Sequence, residues 1–267
     1  MRILHIWDIG GDSYIVAKFQ RLLGHTVDVI KTSGFNPYKL VEFYEGEEFT
    51  PKIWVGEFYL YSLIKSRNYD LIHVHALYKL VPILRKFYPQ KKIILHYHGS
   101  DCRVTPPKKR KKAEQMSDKI LLSTPDLKKF VPEGEFIPNP IDTKLFQHRK
   151  LTSGKAFTIL VRKNKLESIQ SFLSENKLDI KFDVIYSGES PTLYENMPSL
   201  FYKYGTYIDL KFSYDGKIIP AMSNTGRQAL ACGLRVLNYN LKYIEKFPDQ
   251  HNPKNVVSLL EKIYLQL

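Results

Sequence analysis

The chain has 267 residues, 43% of them hydrophobic and 25% charged, ordinary values for a soluble globular protein. No apolar run reaches the roughly 18 residues of a membrane-spanning helix, and two cysteines, Cys102 and Cys232, cannot build a disulfide framework or a cysteine metal site. Forty basic against 27 acidic residues leave a net charge of +13, which favours an anionic partner without choosing among nucleic acid, lipid and phosphorylated small molecules.

The segment Met1–Asp8 is a short strand-like run, too brief and polar for a secretory signal. An intracellular, cytoplasmic protein is expected. Arg2 to Trp7 reads as a strand. A Gly10-Gly11 turn follows, and Tyr14, Val16, Ala17, Phe19, Leu22 and Leu23 approximate helical spacing up to Gly24. Thr26 to Ile30 is the next strand, which completes a βαβ unit with parallel strands. Helices are expected over Trp54 to Lys65, Tyr78 to Phe87 and Lys108 to Met116. They alternate with strands over Leu71 to His75, Lys92 to His96 and Lys119 to Ser123. Such alternation predicts a doubly wound α/β domain.

Ile137-Pro138-Asn139-Pro140-Ile141-Asp142 is rich in turn formers, and a polar stretch follows from Gln147 to Lys155. A boundary is expected there, with a first Rossmann-like domain over 1–146 and a second over 147–238. Within the second, strands are expected over Phe157 to Val161, Phe182 to Tyr186, Ile208 to Phe212 and Arg235 to Asn238. Helices are expected over Leu166 to Leu173, Met197 to Tyr204 and Arg227 to Cys232. The last segment, 239–267, carries an amphipathic helix from Pro253 to Leu267, with Val256, Val257, Leu260, Ile263 and Tyr264 on one face.

Five segments carry a resemblance. Gly10-Gly11-Asp12-Ser13 precedes a helix that ends Leu22-Leu23-Gly24-His25-Thr26-Val27. Tyr69-Asp70-Leu71-Ile72-His73-Val74-His75 is similar to a "DxIHxH" strand, and His96-Tyr97-His98-Gly99-Ser100-Asp101 to an "HGSD" turn. Ile137 to Phe146 is similar to a "VPNGVDxxxF" linker, and Gln228 to Leu237 to "EAMACGxPVV". In this order they resemble glycosyltransferase family 4, the retaining group of the GT-B fold. The resemblance covers nearly the whole chain, although the second domain is short for the family. It implies two Rossmann-like domains facing each other across a cleft, with the C-terminal helix returning to the first. It also implies transfer of a sugar from a nucleotide-sugar donor, with retention and without a metal or further cofactor, to an acceptor that it does not identify. Two departures stand out. The family's paired glutamates fall on Gln228 and Pro220, and the glycine of its "GR…K" phosphate motif is Val161.

The chemistry of such a transfer calls for fixed positive groups against the departing diphosphate. By resemblance that role falls to Arg162 and Lys165, with Lys163 as a substitute, just past the carboxyl end of a strand. Asn224, Thr225 and Gly226 precede the helix expected from Arg227, and a helix amino end there suits phosphate through its backbone N–H groups. Gln228 would hold the ribose more weakly than a glutamate, and base recognition is placed near Tyr186-Ser187-Gly188-Glu189. Gly10, Gly11 and Asp12 form the loop on the acceptor side. His98 matches the family histidine near the sugar and acceptor and is assigned a catalytic role, with Asp101 assisting. His73, His75, His96 and His98 are the residue type that binds zinc, but no carboxylate or cysteine spacing supports a site and no metal is expected.

Lys108-Lys109-Arg110-Lys111-Lys112 opens a helix at the end where positive charge opposes the macrodipole. Besides a plain solvated face, it reads as an anion patch suited to an anionic membrane surface, and peripheral attachment is considered. A transferase-like binding protein without catalysis is the alternative to the enzyme. Nucleic acid is the remote third reading, since no aromatic residues interleave the basic run.

Overall fold

The computed structural model describes residues 1–8, 10–52, 56–213 and 216–267. The chain divides into two compact units, Met1–Pro140 with Asp249–Leu267, and Ile141–Pro248. The first division falls six residues before the expected boundary. Phe146 belongs to the second unit, where its ring packs 5.4 Å from that of Tyr194 and 6.1 Å from that of Phe201.

In the first unit a parallel sheet has the order β3-β2-β1-β4-β5-β6-β7. Its strands are β1 (Arg2–Ile6), β2 (Thr26–Thr32), β3 (Glu47–Phe49), β4 (Leu71–His75), β5 (Lys92–Tyr97), β6 (Lys119–Leu122) and β7 (Glu135–Phe136). Every residue of β4 is buried, as expected of a strand covered on both faces. The order reverses direction between β1 and β4, the switch point where open α/β sheets bind ligands at their carboxyl ends.

The crossings are made by α1 (Asp12–Leu22), α2 (Leu40–Phe43), α3 (Gly56–Ser66), α4 (Val81–Phe87), α5 (Ser100–Arg103) and α6 (Pro107–Met116). The helix expected from Trp54 begins at Gly56 among the described residues, and Trp54 lies outside them. The helix expected from Tyr78 is a tight 3-10 turn over Tyr78–Leu80 that passes into α4, because Pro82 near its start can donate no backbone bond to an earlier turn.

The second unit holds β8 (Ala156–Leu160), β9 (Phe182–Tyr186), β10 (Thr206–Ile208), β11 (Arg235–Leu237) and β12 (Tyr243–Ile244), in the order β12-β11-β10-β8-β9. Only the β11–β12 pair is antiparallel among these. Here the switch point lies between β8 and β10. Its helices are α7 (Lys165–Glu175), α8 (Met197–Phe201) and α9 (Asn224–Ala231). The strand expected at Ile208 to Phe212 lies earlier and stops at Ile208, and Phe212 makes an isolated bridge to Ile218 instead. The helix expected from Arg227 starts three residues sooner because Ser223 caps it, its hydroxyl oxygen accepting the Gly226 N–H at 2.8 Å.

The final helix, α10 (Pro253–Gln266), returns to the first unit and packs on α1. Asn252 caps it, and its buried face is Val256, Val257, Leu260, Ile263 and Tyr264, as its periodicity requires. His25, in the turn just past α1, meets Glu261 of α10 at 2.8 Å. Among the described residues, no helix is long and apolar enough to cross a membrane.

Candidate functional site

At the carboxyl end of β1 the chain turns sharply into α1. Gly11 has φ 91°, a left-handed conformation that suits glycine. The buried Asp8 carboxylate accepts from the Gly11 N–H (2.7 Å), the Ser13 N–H (3.0 Å) and the Ser13 hydroxyl (2.7 Å). These are donors that a helix amino end leaves unpaired. Lys31, equally buried on β2, stands 3.8 Å from Asp8. Burial pushes the Lys31 pKa down, against the pull of the Asp8 charge. The sequence reading missed both residues. Gly10, Gly11 and Asp12 therefore form a turn whose hydrogen bonding is largely met by the protein itself.

The turn after β5 lies across the switch point. The Asp101 carboxylate accepts from the backbone N–H groups of His98 (2.9 Å) and Gly99 (2.6 Å). The His98 ring is almost wholly buried. Its Nδ1 faces the Asp12 carboxylate at 3.4 Å, and its Nε2 lies 2.9 Å from His75 Nδ1. Burial disfavours the charged imidazolium of His98. The Asp12 carboxylate, helped by Asp101 and Asp8, outweighs that and raises its pKa above the ordinary histidine value. The catalytic assignment placed this ring against substrate, yet both of its nitrogens face groups within the unit. Cys102 is no nucleophile, since burial pushes its thiol up to about 11.

Behind His98 the parallel register gathers four more imidazoles on one face of the sheet. His5 pairs with His73 across β1 and β4, and His75 with His96 across β4 and β5. His5 Nδ1 lies 2.9 Å from His75 Nε2, and His5 Nε2 2.9 Å from the Gln20 side-chain oxygen Oε1. His73 bridges His96 (3.2 Å) and the Tyr264 hydroxyl of α10 (2.7 Å). Burial pushes His5 down to about 4, and it holds His73, His75 and His96 well below the usual range, reinforced by the neighbouring imidazoles. His5 was missed because nothing near it in sequence marks it. Its parity on β1 and the parallel pairing could have found it.

The second unit's switch point is more open. Arg162 and Lys163 are exposed in the turn from β8 to α7. Lys163 pairs with Glu189 at 2.8 Å and lies over the Tyr186 ring. Lys165, half-buried, donates to the Ser213 carbonyl at 3.3 Å. From the adjacent β10 comes Asp209, buried and unforeseen, whose carboxylate accepts the Ser223 N–H at 2.7 Å. Gly226 lies so close that a Cβ there would stand 2.5 Å from the same Asp209 oxygen. The amino end of α9, where Asn224, Thr225 and Gly226 were assigned to phosphate, thus already faces one carboxylate. Gln228, assigned to ribose, is buried, as is Arg227, which donates to the Asn224 side-chain oxygen Oδ1 at 3.0 Å. The topology brings the cationic turn and the capped helix to neighbouring strand ends.

The basic run splits. Lys108, Lys109, Lys111 and Lys112 are exposed, but Arg110 is fully buried and leaves the expected anion patch. It lies 5.7 Å from the Tyr97 ring and pairs with Glu114 at 2.6 Å, while the Thr105 and Phe130 carbonyls accept from it. A planar, weakly hydrated guanidinium suits such a place better than an ammonium.

No protein-family model matches the sequence, and no curated protein matches it. Solved structures do match its fold. The chain aligns with Anabaena Alr3699/HepE in complex with UDP over 98% of its length and 91% of the other's, with a TM-score of 0.55 at 12% identity. It aligns with UDP-GlcNAc 2-epimerase from Neisseria meningitidis bound to UDP-GlcNAc over 99% and 92%, at 0.54 and 10%. A third match, LpCGTa in complex with UDP, covers 97% and 82%, at 0.50 and 10%. With the two sheet orders, these likenesses define the class: an α/β protein of two Rossmann-like units, the GT-B fold.

Proposed function

We propose that the protein is a glycosyltransferase that takes its sugar from a UDP-linked donor and transfers it with retention, as the resemblance to family 4 implies. The observation that carries the reading is the switch point of the second unit. Arg162, Lys163 and Lys165 follow β8, and a capped helix amino end follows the adjacent β10. Cations and a helix amino end at neighbouring strand ends are the chemistry that binds a diphosphate and stabilises the charge growing on it as the glycosidic bond breaks. UDP or a UDP-sugar is bound in all three solved structures described above, which supports uridine as the base. In this reading no metal is needed for the transfer itself.

Roles on the first unit follow from what each group touches. Asp101 holds the turn after β5 through two N–H bonds, and His98 holds Asp12 beside the Gly10-Gly11 turn. We assign His98 and Asp101 as positioning residues on the acceptor side. For His98→Gln the expected signature is a fall in kcat with little change in KM for the donor.

The test is thermal stabilisation by nucleoside diphosphates, followed by incubation with UDP-sugars and analysis of products. A ligand that binds only the folded state must raise the melting temperature. A rise with UDP, lost in Arg162→Ala, together with sugar appearing on an acceptor supports the reading. UDP binding with free epimerised sugar would instead make the protein an epimerase. UDP binding without turnover would favour a binding protein, the reading that Gln228 and Pro220 in place of two glutamates supports. No rise with any nucleotide in a folded sample would sink the proposal.

The four exposed lysines of α6 lie near exposed Val104 and Phe130, 64% and 40% accessible. Cationic and apolar groups together suit the surface of an anionic membrane, and we propose that an acceptor there is reached by peripheral binding. Sedimentation with phosphatidylserine vesicles at low salt, unchanged when the four lysines are replaced by glutamate, would remove this part.

A further inference from the structure

The five buried imidazoles have a feature that hydrogen bonding among themselves leaves unexplained. His96 Nε2 has no partner, although the residue is only 6% exposed, and a buried ring nitrogen without a partner carries a desolvation cost. One ring nitrogen of each of His75, His96 and His98 lies within 4.8 Å of one on each of the other two. His75 Nδ1 and His98 Nε2 already face each other at 2.9 Å.

The opposite nitrogens of these three rings turn outward, those of His75 and His96 to hydrogen-bonded imidazoles and that of His98 to a carboxylate at 3.4 Å, a charge contact without a hydrogen bond. His98 Nδ1 faces the Asp12 carboxylate. His75 Nε2 faces His5, whose far nitrogen meets the Gln20 side-chain oxygen Oε1. His96 Nδ1 faces His73, whose far nitrogen meets the Tyr264 hydroxyl. A neutral imidazole carries one N–H and one lone pair. If each outward nitrogen donates, three lone pairs converge: His75 Nδ1, His96 Nε2 and His98 Nε2. Metal-bound histidines have this organisation, each donating its other N–H to a carboxylate, a carbonyl or another acceptor that fixes ring and tautomer.

We propose that His75, His96 and His98 bind a divalent transition metal of the zinc class at the carboxyl end of the first sheet. Three imidazoles leave one position open in a tetrahedral site. Ligand nitrogens at about 2.0–2.1 Å from such an ion stand about 3.3 Å apart, so His96 closes inward and the His75–His98 pair opens slightly. His98 gives up only the Nε2 proton and keeps the one facing Asp12. The metal then ties the turn after β5 to β4. It goes beyond the transferase reading and does not depend on it, since the test reads metal and not turnover.

The experiment uses the full chain prepared without a histidine tag, stripped with chelator, dialysed with Zn2+ and analysed by elemental mass spectrometry, with a parallel Co2+ titration. The expected result is one zinc per chain and the intense visible absorption of tetrahedral Co2+. His75→Ala and His96→Ala abolish both, and His148→Ala, which changes an exposed histidine of the other unit, leaves both intact. H96Q gives the same reading if the alanine variant unfolds. Asp12→Asn weakens the affinity roughly ten- to a hundredfold, the usual effect of removing such an outer partner. Wild-type protein without stoichiometric zinc and without the cobalt band overturns the proposal, and so does zinc retained equally by His75→Ala and H96Q.

Discussion

The two switch points are built on one plan and finished differently. In the first unit the charges at the strand ends face one another. Asp8 is closed by Lys31 and three donors, Asp12 by His98, and Asp101 by two backbone N–H groups. In the second, among the described residues, Arg162 is exposed, Lys163 holds the exposed Glu189 and lies over the Tyr186 ring, and Lys165 meets a single carbonyl. A buried ion pair contributes to stability chiefly when both partners remain, whereas an exposed cation costs the fold little and stays available to an anion. The first edge is thus structural at its base, and the second leaves its cations open to solvent.

The comparison breaks most visibly at Asp8. Removing its carboxylate in Asp8→Ala leaves Lys31 charged and buried and unpairs the Gly11 and Ser13 donors. The expected loss is about 3–5 kcal/mol of folding stability, read by urea titration. Adding Lys31→Met should return much of it, because an apolar side chain of similar size needs no partner. A loss below about 1 kcal/mol would show that this edge is not held by its own charges.

Next in size is Gly226→Ala. The added methyl must displace the Asp209 carboxylate from 2.5 Å, at an expected cost of about 1–3 kcal/mol, and the α9 amino end moves with it. An unchanged urea midpoint would mean that Asp209 swings away freely.

Much of the first unit was legible because alternation and continuous apolar strands announce a parallel sheet. β4 and β9 fall where their apolar patterns place them. The edge elements β3, β7 and β12 span two or three residues, too few for a period to register. The site was legible in part. Arg162, Lys163 and Lys165 are where a strand-to-helix turn puts them. Arg110 was misread because a run of cations gives no sign of which one a helix turns inward. Asp209 was hidden by a strand placed too late, and the histidine cluster by a neighbour relation that only the sheet creates. β1 and β5 bring His5 and His96 to the two sides of β4, though 91 positions separate them in the chain.

Arg162→Ala and Lys165→Ala test the second edge. Neither should shift the melting temperature of the ligand-free protein by much, since surface substitutions away from buried networks are close to neutral. Each should weaken UDP binding roughly ten- to a hundredfold, the worth of one hydrogen bond to a charged group. Titration calorimetry reads the affinity and a thermal scan the melting temperature. Weakened binding without lost stability keeps the contrast with Asp8, and a loss of stability matching the loss of binding would erase it.

The finest distinction lies within the cationic turn itself. Among the described residues, Lys163 is the one of the three with an acidic partner at hand, and its pairing with Glu189 raises its pKa. A diphosphate must compete with that carboxylate for the same ammonium, so part of any gain is lost in breaking the pair. Lys163→Ala should therefore weaken UDP binding less than Arg162→Ala. Glu189→Gln should strengthen it slightly, because the ammonium is released and a negative charge leaves the turn. Both shifts should shrink as salt rises, since the pair is fully exposed and screened. If Glu189→Gln weakens binding instead, Glu189 contacts the nucleotide itself, and the base or ribose lies against the Tyr186–Glu189 turn.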